Sequence, residues 1–320
     1  MFCRVKNFLS NLRRFSVENF VNPVKVPIKF RTFDLVQIPD IMLVTFTEEG
    51  HRYMCGDVPY KSVSSLLGQF QPEFDREHWS KRSALQRILP NFRDLEDWWL
   101  NERRGSINQP EMVDFMMEFA DEEEVKDVQK EILKEWKKEN EKSVNKGNKY
   151  HLSREEDSYS RGYEICPIDG KKYKTFQKER IPGYNEALCE NLFDLDDGYY
   201  PELLIFDHEN RLAGQSDRVF IGTYRKKRYA YIDDYKTNKK MTKRSFWYKN
   251  YGNVKLLPPL DYLEHSKLQG YELQISTYAW MLERFGFQIK GVCLHHLNKK
   301  YDLKYLKKEV ELMLEYGKDR

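Results

Sequence analysis

The sequence predicts an α/β layered domain, and three observations carry that prediction. Past Pro201 the segments "ELLIFD", "LAGQSDRVFIGTY" and "YAYIDDYKT" are rich in aliphatic and aromatic residues. The polar turns "HENR" and "RKKR" part them, the pattern of a three-stranded meander. A helical segment, "YELQISTYAWMLERFG", follows and stops at a glycine. A further apolar run, "KGVCLHHLN", precedes a last amphipathic helix, and this order of elements suits an α/β or α+β layered fold.

In chain order, residues 1–44 read as an appended basic arm. The opening "MFCRVKNFLSNLRRFSVENF" is amphipathic and free of acids until Glu18. It fits a basic surface helix, and an organellar transit segment stays open beside it. "IMLVTFTEEGHRYMCG" reads as strand, polar turn and strand, and Ser62 is placed to cap a short helix in "SVSSLLGQF". From about 75 to 145 the signals are helical, an insertion within a domain spanning 45–320. In "EEEVKDVQKEILKEWKKENEK" the spacing puts Val125, Val128, Ile132 and Trp136 on one stripe, with acids early and lysines late. Gly147 is expected to interrupt this helix, and "KYHLSREEDSYS" to resume helical spacing.

Composition bounds the possibilities. With 320 residues, 40% apolar and 14% aromatic, the chain is long and apolar enough to bury a sizeable core. A net charge of +3 is too small to imply a polyanionic partner by itself. Cys3, Cys55, Cys166, Cys189 and Cys293 show no CxxC or other metal-ligand spacing, which favours free thiols in a reducing compartment. No apolar run reaches the roughly 18 residues of a membrane span, and no secretory signal is visible, so a cytoplasmic protein is expected.

The chemistry concentrates at the end of the meander. Alternation in "YAYIDDYKT" places Ala230, Ile232, Asp234 and Lys236 on one face and Tyr231, Asp233 and Tyr235 on the other. If "YRKKR" closes a hairpin, Asp217 of the preceding strand and Asp234 converge near one end of the sheet. Paired carboxylates repel unless a cation or proton intervenes, and hard oxygen ligands suit Mg²⁺ or Mn²⁺. Lys236 then sits where it orients a water or stabilises developing negative charge. The acid-x-Lys triplet alone carries little, since Glu124/Lys126, Glu135/Lys137, Asp169/Lys171 and Asp302/Lys304 also satisfy it. Only Asp234/Lys236 ends an apolar strand preceded by another bearing its own acid, and an edge-strand salt bridge remains the plainer alternative.

"AGQSDRVF", "YIDDYKTNKK" and "LQGYELQISTYAWMLE", in that order, resemble the motif set of RecB-like nucleases in the PD-(D/E)xK superfamily. The matching residues are Asp217 after Gly214, Asp234-Tyr235-Lys236-Thr237, and Gln274 with Tyr278. An upstream G-x-x-x-H-x-x-x-E, as in phage-type exonucleases, is matched by Gly147, His151 and Glu155, and "HRYMCGDVPYKSVSSLLGQF" is similar to the family's N-terminal segment. The likeness spans about residues 45–315. It implies a restriction-endonuclease-like α/β core, a central mixed β-sheet flanked by helices, with an N-terminal extension.

The resemblance further implies that His151, Asp217, Asp234 and the backbone carbonyl of Tyr235 ligate Mg²⁺ or Mn²⁺. By spacing alone, His151 would be an ordinary surface histidine. It assigns catalysis to Asp217, Asp234, Lys236, Gln274 and Tyr278, with Glu155 and Glu202 supporting and Asp233 excluded by its face; packing is the plainer role for Tyr278. Some relatives hold an iron-sulfur cluster, which is not expected here because only Cys293 follows the D-x-K. Between Lys236 and Gln274, "KKMTKRSFWYKNYGN" interleaves basic and aromatic residues. Lys239, Lys240, Lys243, Arg244, Trp247 and Tyr248 thus suit a strand-guiding element, and a solvated loop pinned by aromatics fits as well. The expected activity is metal-dependent DNA exonucleolysis in phage-type recombination, replication or end processing. DNA is the implied partner, with a recombinase, a single-strand-binding protein or a separate helicase beside it. A single-strand or structure-specific endonuclease and a non-catalytic binding module are the rivals.

Overall fold

The computed structural model describes residues 43–105, 109–179, 181–245, 247–248 and 252–317, with only the backbone of 247, 248 and 252. The expected basic arm lies outside the described residues save for Leu43 and Val44.

The chain opens with β1 (Val44–Thr47), β2 (Arg52–Cys55) and β3 (Val58–Ser62), an antiparallel run in which β3 extends beyond the two expected strands. Ser62 caps α1 (Val63–Gly68), its side chain accepting from Ser65 N at 3.0 Å as the sequence indicated. Then come α2 (Arg76–Ile88), α3 (Phe92–Asn101), α4 (Pro110–Met117) and α5 (Glu122–Arg161). These helices enclose a core of their own, with Leu85, Trp99, Met112, Met116, Val125 and Ile132 buried and Val128 and Trp136 packed against them.

Gly147 does not break the helix, contrary to the expectation from sequence. α5 is continuous for 40 residues, capped at its start by Asp121, which accepts from Glu124 N, and at its end by Gly162 at φ +67°. One helical glycine costs about 1 kcal/mol relative to alanine, too little to end a helix capped at both ends and packed along one stripe.

After α5 come β4 (Tyr163–Ile165) and β5 (Lys172–Lys174), a small hairpin, and β6 (Tyr184–Glu186), none of which the sequence reading identified. The meander is then formed as expected by β7 (Gly198–Asp207), β8 (Leu212–Tyr224) and β9 (Lys227–Lys236). Arg225 and Lys226 make the two-residue turn between β8 and β9, both at positive φ, the backbone geometry of a tight hairpin. The two-residue strands β10 (Trp247–Tyr248) and β11 (Gly252–Asn253) pair with each other. α6 (Lys267–Arg284), β12 (Gln288–His296), β13 (Lys299–Asp302) and α7 (Lys307–Tyr316) close the chain.

One large mixed sheet organises these parts, in the order β13, β12, β9, β8, β3, β2, β1, β6, with β7 along the other side of β8. β12 is parallel to β9 and α6 makes the crossover between them. α6 and α7 bury Leu273, Ile275, Met281, Val310 and Met313 in one core with Val219, Ile221, Ala230 and Ile232 of the sheet. Strand alternation sends Phe220 and Tyr231 to the opposite face, where they join Cys166, Tyr199 and Cys293 in a smaller cluster. β9 is therefore an interior strand between β8 and β12, which overturns the edge-strand reading of Asp234 and Lys236. Among the described residues no helix is long and apolar enough to cross a membrane.

Candidate functional site

The β8–β9 ladder ends with Arg218 opposite Asp233. Alternation points that pair to one face and Asp217 and Asp234 to the other. Past this point the strands part, and the Asp217 side chain takes the place of a backbone acceptor. Its Oδ2 receives the Tyr235 N–H at 2.5 Å. Tyr235 thus serves the site through its backbone, while its ring lies 5.2 Å from that of His295.

β7 adds a third acid. In the β7–β8 register Glu202 falls opposite Asp217, between the pairs Pro201 with Arg218 and Leu203 with Ser216. Its φ of +49° lies in the left-handed region, a strained choice for a non-glycine residue in mid-strand that persists only where the surroundings fix it. α5 supplies the fourth group across the end of the sheet, His151, whose Nδ1 is 3.1 Å from Asp217 Oδ1. The ligand atoms of His151, Glu202 and Asp217 all lie within 4.8 Å of one another. Glu202, placed in a supporting role from the resemblance, thus shares a cluster with His151 and Asp217. Glu155, one turn beyond His151, accepts from Tyr159 Oη at 3.2 Å.

Asp234 sits deeper, 1% exposed, with its Oδ2 2.5 Å from Lys236 Nζ. The Lys236 ammonium is the cation beside this buried oxygen, and among the described residues Asp234 Oδ2 meets no further donor. Lys236 Nζ also lies 5.1 Å from the centre of the Tyr271 ring. Tyr271 precedes Gln274 by one turn of α6, a spacing that was available in the sequence and not used. Gln274 Nε2 donates to Tyr278 Oη at 3.2 Å. Tyr278 itself is buried against Gly214: a Cβ on that glycine would stand 2.6 Å from Tyr278 Cε1. The glycine before the motif acid therefore makes room for the motif tyrosine.

The electrostatics follow from crowding. Burial, then the charges of Asp217 and Glu155, push Glu202 up to about 8. Burial and Asp217 push Asp234 up to about 6, against the pull of Lys236. Burial alone would raise Asp217, but the His151 hydrogen bond and the Lys236 charge outweigh it and hold it below its ordinary value. Lys236 and His151 are both raised, each because neighbouring acids outweigh burial: Asp234 and Asp217 for the lysine, chiefly Asp217 for the histidine. Burial drives Tyr278 well above the phenol range, so it stays neutral. The cluster crowds Asp217, Asp234 and Glu202 around Lys236 and His151, and two of these carboxyl groups are held above their ordinary values because burial and their neighbours oppose ionisation. A divalent cation with oxygen and imidazole ligands fits that donor set.

A cleft of about 530 Å³ opens onto His151, Glu155, Glu202 and Asp217, with Tyr159 and Lys178 in its walls. Tyr159 continues the α5 stripe of His151 and Glu155 at four-residue steps, a regularity visible in the sequence and overlooked. The basic stretch lies past β9, with Lys239, Lys240, Lys243 and Arg244 exposed and Lys239 paired with Glu139 of α5. The side chains of Trp247 and Tyr248 lie outside the described residues.

On the other face, Asp233, Cys293 and His295 also place ligand atoms within 4.8 Å of one another. Arg218 donates to Asp233 Oδ2 through Nε at 3.0 Å and Nη2 at 2.7 Å, and His295 Nε2 is 3.0 Å from Oδ1. Asp233 is thus supplied with a cation and hydrogen bonds from the protein itself, the feature that separates it from Asp234. No protein-family model, no curated protein and no solved structure matches the chain.

Proposed function

We propose that the chain is a divalent-metal-dependent nuclease with a restriction-endonuclease-like core, acting on DNA as an exonuclease. The observation that carries this reading is the convergence of His151, Glu202 and Asp217 beside the buried Asp234–Lys236 pair. Asp217, Asp234, Glu202 and His151 would hold Mg²⁺ or Mn²⁺, with the Tyr235 carbonyl adjoining them. When bound, the ion supplies Lewis-acid polarisation of the phosphate and eases ionisation of the attacking water.

The side chains supply the rest. Lys236, kept protonated by Asp234 and Asp217, positions its ammonium to hold a water or a non-bridging oxygen and to offset the charge that builds on phosphorus. Tyr278 and Gln274, bonded to each other on one face of α6, brace the floor of the site. In the reaction an oxygen of water bonds to phosphorus and one ester P–O bond breaks. The leaving oxygen gains a proton and the attacking water loses one.

Digestion of linear single- and double-stranded DNA, labelled separately at each end, tests this beside a closed-circular substrate. The expected result is Mg²⁺- or Mn²⁺-dependent shortening from an end, lost in Asp234→Asn, with circles left intact. Cutting of circles would convert the reading to an endonuclease. Binding without cleavage under any metal would leave a binding module and remove the enzyme.

A further inference from the structure

The β4–β5 hairpin has two unlike faces. Its inner face is tied down. Glu164 accepts from Ser158 Oγ at 3.0 Å, pairs with Arg161 and lies 3.5 Å from Arg218 Nη1. Tyr173 meets Phe220 edge-on at 4.8 Å, Cys166 is buried, and Tyr199 Oη donates to the Ile165 carbonyl at 2.9 Å. A two-stranded hairpin is marginal alone in water, so these anchors fix its position.

The outer face is left open. Tyr163 is 42% exposed, Ile165 61% and, at the turn, Ile168 46%. Opposite the first two in the ladder stand the exposed lysines Lys174 and Lys172, with Lys172 Nζ 4.3 Å from the Tyr163 ring centre. The turn acid Asp169 accepts from Lys171 N and Tyr173 Oη, which draws its carboxylate back into the hairpin.

Both stems of the hairpin spring from the cleft. Tyr159 in the cleft wall precedes Tyr163 by four residues, and Lys178 in the wall follows Lys174 by four. Four residues of extended chain span at most about 14 Å, so the platform lies within that reach of the cleft wall. The cleft, about 530 Å³, is of small-ligand size and would hold only a short piece of a polymer. The strand beyond that piece must lie outside.

Resting on the nuclease reading above, we propose that the outer face of this hairpin is a second nucleic-acid contact that holds the strand just outside the cleft. Lys172 and Lys174 neutralise phosphates while Tyr163 and Ile165 pack against unpaired bases. Charge complementarity with a polyanion and continuity with the cleft single out this occupant.

The test uses the full chain and fluorescence anisotropy of a labelled 20-nucleotide oligothymidylate, titrated at several salt concentrations in chelator. Hydrolysis of a thymidine dinucleotide in Mn²⁺, too short to reach the hairpin, serves as the companion readout. Lys172→Gln with Lys174→Gln is expected to reduce the salt slope by roughly 1.4, at about 0.7 per contact for a single strand. Tyr163→Ala is expected to weaken 20-mer binding roughly tenfold. Dinucleotide turnover stays at the wild-type level in both.

Unchanged 20-mer affinity and slope would overturn the proposal, as would an equal loss of dinucleotide turnover. Weakened binding to phosphatidylserine vesicles with intact oligonucleotide binding would overturn it in favour of a membrane surface. Wild-type protein that neither binds nor cuts either substrate would remove the nuclease reading itself, and this inference with it.

Discussion

At the scale of single residues, the decisive feature is how differently two neighbouring aspartates are treated. Asp233 is given two N–H bonds from Arg218 on one oxygen and His295 on the other; Asp234 has, among the described residues, the Lys236 ammonium beside it and acids close by. Glu202 shares that crowding, and it ionises near 4.5 as a free side chain but at about 8 in the fold. Between those values the folded chain holds the extra proton, so this contribution to stability is complete below pH 4.5 and is lost as pH rises through about 8. Metal-free protein is therefore expected to melt at lower temperature as pH climbs through that range, and Glu202→Gln to flatten the fall. A variant whose Tm tracks the wild type at every pH would show that Glu202 is not held neutral. Strand alternation and the acid-x-Lys pattern pointed to Asp217, Asp234 and Lys236, whereas His151 was reached through the family resemblance alone. That resemblance understated Glu202 because membership of the cluster depends on the β7–β8 register and on a positive φ that no side-chain pattern announces.

At the scale of elements, the site depends on one long helix and on close packing between a strand and a helix. In α5, a Cβ added at Gly147 would meet only Thr237 Oγ1, at 3.8 Å, an ordinary contact. Gly147→Ala is accordingly expected to stabilise the fold by about 1 kcal/mol, read as a rise in denaturant midpoint at constant m. Gly214 is the opposite case. Alanine there drives a methyl into the buried Tyr278 ring, and a loss of about 1–3 kcal/mol is expected from the same titration. Tyr278→Phe, which keeps the ring, leaves the Gly214 contact intact and serves as the control. The meander, the Ser62 cap and α6 were legible because each declares itself within about a dozen residues. Gly147 misled because propensity was read without the capping and packing that hold α5 together, and the β4–β5 hairpin escaped because three-residue strands are too short for a period to register.

At the scale of the whole molecule, a mixed sheet brings together acids from β7, β8 and β9, while α5 and α6 close over them with His151, Gln274 and Tyr278. Distant stretches of sequence meet only through the strand order, in which β3 lies beside β8 and β12 returns parallel to β9, and no local pattern encodes that order. The architecture crowds carboxyl groups around a small cleft where they do not all ionise readily, and the central claim is that a divalent cation belongs there. Calorimetric titration of the metal-free protein with Mn²⁺ tests it most directly, with Asp217→Asn as the comparison. The account predicts saturable binding that is lost in the variant, with wild-type stability rising by about 2.7 kcal/mol at a hundredfold excess over Kd. Absence of binding, or an isotherm indifferent to Asp217, would contradict it.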